Sequence, residues 1–300
     1  PWLKNMPCRA SGPWHHVATM PPHAQWQTFV AELRSDVAAD AITTCIVAAH
    51  PDDEVIGAGA TVLPHAGRCT VVHVTDGAPR DLADARAAGF SAREAYARER
   101  RAEAQRAIAL ARSHCQVIEL DIEDQCASSA LVAIATRLAG HFAALEAPVV
   151  LTHAYEGGHP DHDATAFAVH AACAKLRRQG MAVPLVEFTS YHSRDGETVH
   201  SDFLPHDAAG AAWSLVLTPA ERRLKRQMFQ CFRTQREVLR WFPIDVERFR
   251  VAPAYDFARP PHGGALHYER YPWGVTAAQW RALATKAQRE LHVGSPASRP

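Results

Sequence analysis

From residue 42 onward, short unbroken apolar runs alternate with longer stretches of mixed polarity. ITTCIVAA (42–49), CTVVHVTDG (69–77), CQVIEL (115–120), APVVLT (147–152) and PLVEFTSYH (184–192) each read as a buried strand, because a run that is apolar on both faces suits a parallel sheet covered on both sides. Between them, GAGATVLPHAG (57–67), the Ala/Arg/Glu stretch 91–112, residues 128–145 and DHDATAFAVHAACAKLRRQ (161–179) carry helical patterns. Strand–helix alternation of this kind predicts a parallel, three-layer α/β sheet. Before it, Trp26, Phe29, Val30, Leu33 and Val37 predict a helix behind an irregular arm rich in Pro, Trp and His. After it, WSLVLT (213–218) predicts a strand, and capping boxes at Thr218/Glu221 and Thr276/Gln279 open helices running to about 241 and 291. The predicted division is 1–40 for the N-terminal arm and helix, 41–240 for a catalytic α/β domain, and 241–300 for an irregular C-terminal extension packed on the same domain.

In parallel α/β sheets, ligands bind in the crevice at the carboxyl ends of the strands. HPDDE (50–54), TDG (75–77) and THAYEGGHPDH (152–162) directly follow predicted strands, so all three fall on that rim. His50 and Asp53 are three residues apart with Pro51 fixing the backbone between them, and His159 and His162 repeat the spacing around Pro160. Two histidines and a carboxylate on three corners leave a fourth position open, the layout of a catalytic zinc site; the same donors also suit non-haem Fe(II). Either segment alone reads as a helix cap or a turn. Both together on one rim read as a site.

The chain of 300 residues balances 32 Lys+Arg against 32 Asp+Glu, which argues against a general nucleic-acid or acidic-membrane binder. No apolar stretch approaches the roughly 18 residues that span a bilayer. Histidine is enriched, at 18, in keeping with metal or proton chemistry. The seven cysteines (8, 45, 69, 115, 126, 173 and 231) are odd in number and contain no CxxC. They predict no disulfide framework and a reducing, cytoplasmic setting, with no signal peptide in view. Nothing in the sequence sets an oligomeric state.

AHPDDE, VTDG and GGHPDH, in this order after successive strands, resemble the PIG-L/LmbE-like family of zinc-dependent N-acetylglucosaminyl deacetylases. ERRAEAQRAIAL is similar to that family's Arg-x-x-Glu helix at Arg100 and Glu103, and KRQMFQCFRTQ to its late Lys…Gln helix; the similarity extends from about 42 to 235. The resemblance implies a Rossmann-like three-layer sandwich in which His50, Asp53 and His162 bind zinc. It further implies that Asp52 is the general base toward the zinc-activated water, that His159 polarises or protonates the tetrahedral intermediate, and that Asp161 orients His159 by a hydrogen bond. Arg100 and, through a looser match in LDIEDQ, Asp124 would contact the sugar; His192, ending the fifth predicted strand, reads from its position as a substrate contact on the rim, with a structural role equally open. Glu54 would support the metal side or face the helix dipole. His153, Asp76 and Tyr191 border the rim with structural roles equally open, and His262 and His267 read as loop or surface residues.

The implied function is hydrolysis of the amide of an N-acyl amino sugar or glycoconjugate, a small-molecule substrate. The alternatives are an amidase acting on a larger thiol–sugar or secondary-metabolite conjugate, its pocket extended by Trp213, Tyr255, Phe257, Tyr268, Tyr271 and Trp273, and a non-catalytic carbohydrate- or nucleotide-binding module. The last is disfavoured because no GxGxxG follows the first strand.

Overall fold

The apolar run at 42–49 becomes the strand around which the sheet is assembled. A computed structural model of the chain describes residues 43–65, 68–111, 115–146 and 148–293. The predicted N-terminal arm and helix lie outside them. β1 (Thr43–Ala48) pairs in parallel with β2 (Arg68–Thr75) on one side and β4 (Val149–His153) on the other. β3 (Cys115–Ile122) extends the sheet beyond β2, and β5 (Leu185–Phe188) extends it beyond β4, all in parallel. A hairpin, β6 (Tyr191–Arg194) and β7 (Glu197–His200), forms a separate small sheet. β8 (Trp213–Val216) and β9 (Val246–Val251) complete the main sheet in antiparallel fashion, giving the order β3-β2-β1-β4-β5-β9-β8.

Adjacent positions of β1 face opposite layers. Cys45 and Val47 join a core under α4 (Leu131–Ala144), α5 (Pro160–Arg178) and α8 (Ala277–Glu290), while Ile46 joins one under α1 (Asp53–Ala58), α3 (Arg93–Leu110) and α6 (Pro219–Cys231). This is the expected three-layer α/β sandwich. Two short helices, α2 (Ala83–Ala87) and α7 (Arg236–Leu239), lie in connections. Among the described residues, no helix is long and apolar enough to cross a membrane.

Several local expectations give way to tertiary contacts. The helix after β1 starts at Asp53, inside HPDDE, and gives way to turns after Ala58 instead of spanning 57–67. The reason is a buried ion pair. Ile56 O, which would accept from Ala60 N one turn on, instead accepts from Lys225 Nζ at 2.8 Å, and Ala60 N donates to Glu247 Oε1 at 2.9 Å. PLVEFTSYH is two strands and not one, because Glu156 accepts from Ser190 N at 2.7 Å and Thr189 Oγ1 at 2.8 Å and turns the chain out of the sheet. The helix capped at Thr218 stops at Cys231, ten residues short of the predicted 241; Glu103 takes Thr234 N at 3.0 Å and its hydroxyl as well. Residues past 240 contribute β9 to the interior of the sheet, so the predicted boundary falls between two paired strands.

The cysteine reading also needs correcting. Cys69 and Cys115 stand opposite each other in the β2–β3 register, with Cα atoms 4.4 Å apart, and form a disulfide. A separation of 46 residues gives no hint of this; only the parallel register brings the pair together. The inference of a reducing compartment from cysteine usage loses its footing accordingly.

Candidate metal centre

β1 and β4 are neighbours in the sheet although about a hundred residues separate them, so HPDDE and GGHPDH meet at one point of the rim. The sheet switches direction there, with β2 and β3 on one side of β1 and β4 on the other. Asp53 opens α1, and its Oδ2 accepts from His50 N at 2.8 Å and lies 3.1 Å from His50 Nδ1. His159 caps α5 and His162 lies in its first turn. His162 Nε2 reaches Asp53 Oδ1 at 3.3 Å. The rings of His50, His159 and His162 have centroids 4.6–5.3 Å apart. Donor atoms of those three histidines lie within 4.8 Å of one another, and so do those of Asp53, His153 and His162.

The hydrogen bonds sort these candidates. His159 Nδ1 accepts from Asp161 N at 3.2 Å, so its neutral ring carries a proton on Nε2 and offers a donor rather than a lone pair. His153 Nε2 accepts from Ala49 N at 3.0 Å and its Nδ1 meets Ser190 Oγ at 3.2 Å, which commits both nitrogens. It stacks beneath His162 at 4.2 Å as a support. His162 Nδ1 is buried with no partner. His50, Asp53 and His162 could together offer a divalent cation two imidazoles and a carboxylate, His50 turning from its contacts with Asp53 and Asp124 to do so.

The acids and histidines of the site set one another's charge. Burial alone would lower the His50 pKa, yet Asp124, Asp161 and Asp53 around it hold it well above the ordinary value. Burial would raise Asp53, but His162 and His153 pull it well below the carboxylate range. Burial and His50 keep His159 well below its ordinary value, which favours the neutral ring inferred from its hydrogen bond.

Asp52 has a different environment from Asp53. Its φ of 147° lies in a region that L-residues rarely occupy, and such strain persists only where surrounding contacts enforce it. Three contacts do so. Glu54 Oε2 accepts from Asp52 N at 3.0 Å, while Arg100 Nη2 donates to Asp52 Oδ2 at 3.1 Å and to Pro51 O at 3.0 Å. Arg100 Nη1 donates to Gly77 O at 2.9 Å. Gly77, the glycine of VTDG, has φ +62°, and a Cβ there would stand 2.9 Å from Arg100 Cζ. Burial raises the Asp52 pKa to about 7, the Arg100 charge tempering it and Asp53 adding to it. Arg100, expected at the sugar, thus also fixes the orientation of Asp52.

Other expectations land differently. Asp124 lines the cavity, but its Oδ1 also meets His50 Nε2 at 3.1 Å. The Asp161 carboxylate serves the Gln125–Ala127 turn, accepting from Gln125 N at 2.6 Å and Ala127 N at 3.0 Å. What holds His159 is the Asp161 backbone, not its side chain, because the carboxylate is turned toward that neighbouring loop. His192 is buried toward Glu156, 3.7 Å away, and is not among the cavity-lining residues, since its strand has left the sheet. Asp76 shapes its turn, with Oδ1 accepting from Ala78 N and Asp124 N and Oδ2 pairing with Arg93. His267 contacts Thr198, and His262 lines a separate cavity.

The site cavity has a volume of about 140 Å³. Of the six aromatics proposed to line it, Trp273 does so, its ring 4.5 Å from His159, with Tyr271 stacked upon it; Tyr255, Phe257 and Tyr268 are buried in the core. Trp213 packs against the opposite core. Tyr191, left open by the sequence, borders the cavity, and Gln235, Val238 and Phe242 close it. The Arg-x-x-Glu helix and KRQMFQCFRTQ carried the signal for Gln235: Glu103 grips Thr234, and Gln235 Nε2 donates to the Tyr96 hydroxyl at 2.7 Å.

Both histidine segments fall within residues 45–173, which match the family model of PIG-L, described as GlcNAc-PI de-N-acetylase. Over this stretch the chain is similar to the PIG-L family. Solved structures similar to the chain include the A40926 pseudoaglycone deacetylase Dbv21, at 22% identity over 70% of this chain and 96% of that one, TM-score 0.55. The zinc-inhibited form of teicoplanin deacetylase Orf2 matches at 19% identity over 69% and 97%, TM-score 0.52. GalB, the 4-carboxy-2-hydroxymuconate hydratase of Pseudomonas putida, matches at 18% identity over 75% and 100%, TM-score 0.53. No curated protein matches the chain. Because deacetylases and a hydratase share the fold, the activity has to be read from the residues around this site.

Proposed function

We propose that this chain is a metal-dependent N-deacylase that hydrolyses the acetamide of an N-acetyl amino sugar or its conjugate. The observation that carries the reading is the unequal treatment of two adjacent carboxylates. Asp53 is surrounded by histidines and kept ionised, whereas Asp52 pairs with Arg100 and is raised by burial to a pKa of about 7. A general base works best when its pKa is close to the working pH.

His50, Asp53 and His162 would hold the cation, and zinc or Fe(II) suits these donors. When bound, such an ion polarises an amide carbonyl and acidifies a water. Asp52 accepts the proton as water oxygen bonds to the carbonyl carbon. His159, with its proton on Nε2, donates a hydrogen bond to the oxygen that gains charge. The C–N bond then breaks as the nitrogen takes up the proton that Asp52 accepted, which restores the carboxylate and yields acetate and a free amine. The Asp161 backbone N–H keeps His159 in the tautomer this role needs.

The test is acetate release from N-acetylglucosamine derivatives, with metal content measured on the same samples. Asp52→Asn should retain metal and lose 10²-fold or more in kcat, on the order of a missing general base. His162→Ala should lose the metal, and a chelator should abolish turnover in a way that added zinc or Fe(II) restores. Turnover by Asp52→Asn close to that of the unmodified protein would refute the base assignment.

A further inference from the structure

A cavity of about 1060 Å³ lies beside the candidate metal site, whose own cavity is about 140 Å³. Phe242 lines both. One short stretch walls the two: Gln235 and Val238 face the site, and Arg236 and Leu239 face the larger space. The site is too small for more than one end of a ligand, so the remainder of a conjugate has this cavity as its neighbouring volume.

Its walls combine phenyl rings with cations. Phe90, Phe229 and Phe232 supply apolar surface, and Arg226, Arg233 and Arg236 supply charge. Two acids also line it: Glu99 is paired with Arg106 at 2.8 Å, and Glu103 accepts from Thr234 N and its hydroxyl. Arg240 is paired with Glu237 at 2.8 Å. Arg226, Arg233 and Arg236 are exposed and have no carboxylate partner among the described residues. Guanidinium groups in this state favour a carboxylate or phosphate, which they bind with paired donors.

We infer that this cavity receives the aglycone of the conjugate, and that the aglycone is an apolar, ring-bearing body carrying an anionic group. The inference rests on the deacylase reading and adds a substrate class to it. The test compares acetate release from four probes: N-acetylglucosamine and its biphenyl, carboxybiphenyl and phosphonobiphenyl glycosides. Either or both anionic glycosides should exceed the neutral biphenyl glycoside about tenfold in kcat/KM, as expected for one charge-assisted contact, and the better one identifies the anion. In the double variant Arg233→Glu/Arg236→Glu that ratio should fall to one or below. Because the ratio is taken within each protein, a general loss of folding does not imitate the result. Acetate from all the glycosides at equal kcat/KM would overturn the anionic-aglycone inference and leave the deacylase reading intact, as would an advantage that survives the double reversal. Absence of acetate from every probe would overturn both.

Discussion

Replacing Lys225 by Met should unseat α1 and with it Asp53. Lys225 and Glu247 are 1% and 0% exposed, and Lys225 Nζ makes two bonds, to Ile56 O at 2.8 Å and to Glu247 Oε1 at 2.9 Å. The substitution keeps most of the volume and removes both. It leaves Glu247 as an uncompensated buried charge, a loss of about 3–5 kcal/mol when one partner of such a pair is deleted. Glu247 still accepts from Ala60 N, Thr61 N and Thr61 Oγ1, which places the effect toward the lower end. Ile56 O is orphaned at the same time, adding about 1–3 kcal/mol unless the helix re-forms its bond to Ala60. The net expectation is a destabilisation of about 3–5 kcal/mol, read as a lowered midpoint in urea at unchanged slope. Adding Glu247→Gln removes the stranded charge and keeps an acceptor for the turn. The double variant should therefore recover part of the loss instead of compounding it. A single variant within about 1 kcal/mol of the unmodified protein, or a double variant equal to the sum of the singles, would refute the view that this pair terminates α1.

Two shorter tests probe the supports of Asp52. Gly77→Ala puts a methyl against the Arg100 guanidinium at a positive φ; it should cost about 1–3 kcal/mol and lower kcat/KM at unchanged metal content, and full activity at full stability would contradict the packing argument. His73 lies buried between Glu54 and Glu119, each 3.2 Å from one of its nitrogens. Burial would lower its pKa, but the two carboxylates raise it to about 10. A raised histidine contributes its stability fully below the unfolded value of about 6.5 and loses it as pH rises toward 10. The melting temperature should fall over that interval, and His73→Gln should flatten the fall; parallel curves would refute the pairing.

The rim of the sheet was legible because its chemistry sits in short segments directly behind apolar runs. His50, Asp53, His159 and His162 needed only the parallel-sheet rule to be placed together. What stayed hidden depends on contacts between distant residues. β9 reads as VERFRV, with no apolar run, since it buries Glu247 and Arg250, each neutralised by a partner on another element, Lys225 and Glu187. A strand whose charges are paired across 22 and 63 residues has no signature in its own composition. The disulfide escaped for the same reason.

The same logic explains why residue roles were harder to read than residue places. Arg100, Asp124 and Asp161 were each expected to act on the substrate or on His159, and each is also tied to a neighbour in the protein. Arg100 holds Asp52, Asp124 holds His50, and Asp161 holds the loop that carries Asp124. These links form one chain of charge from α3 through the two aspartates of HPDDE to the first turn of α5. Substitutions at Arg100 and Asp124 should consequently alter the pH dependence of turnover and the affinity for metal, respectively, as well as KM. A residue that only touched the sugar would change KM alone.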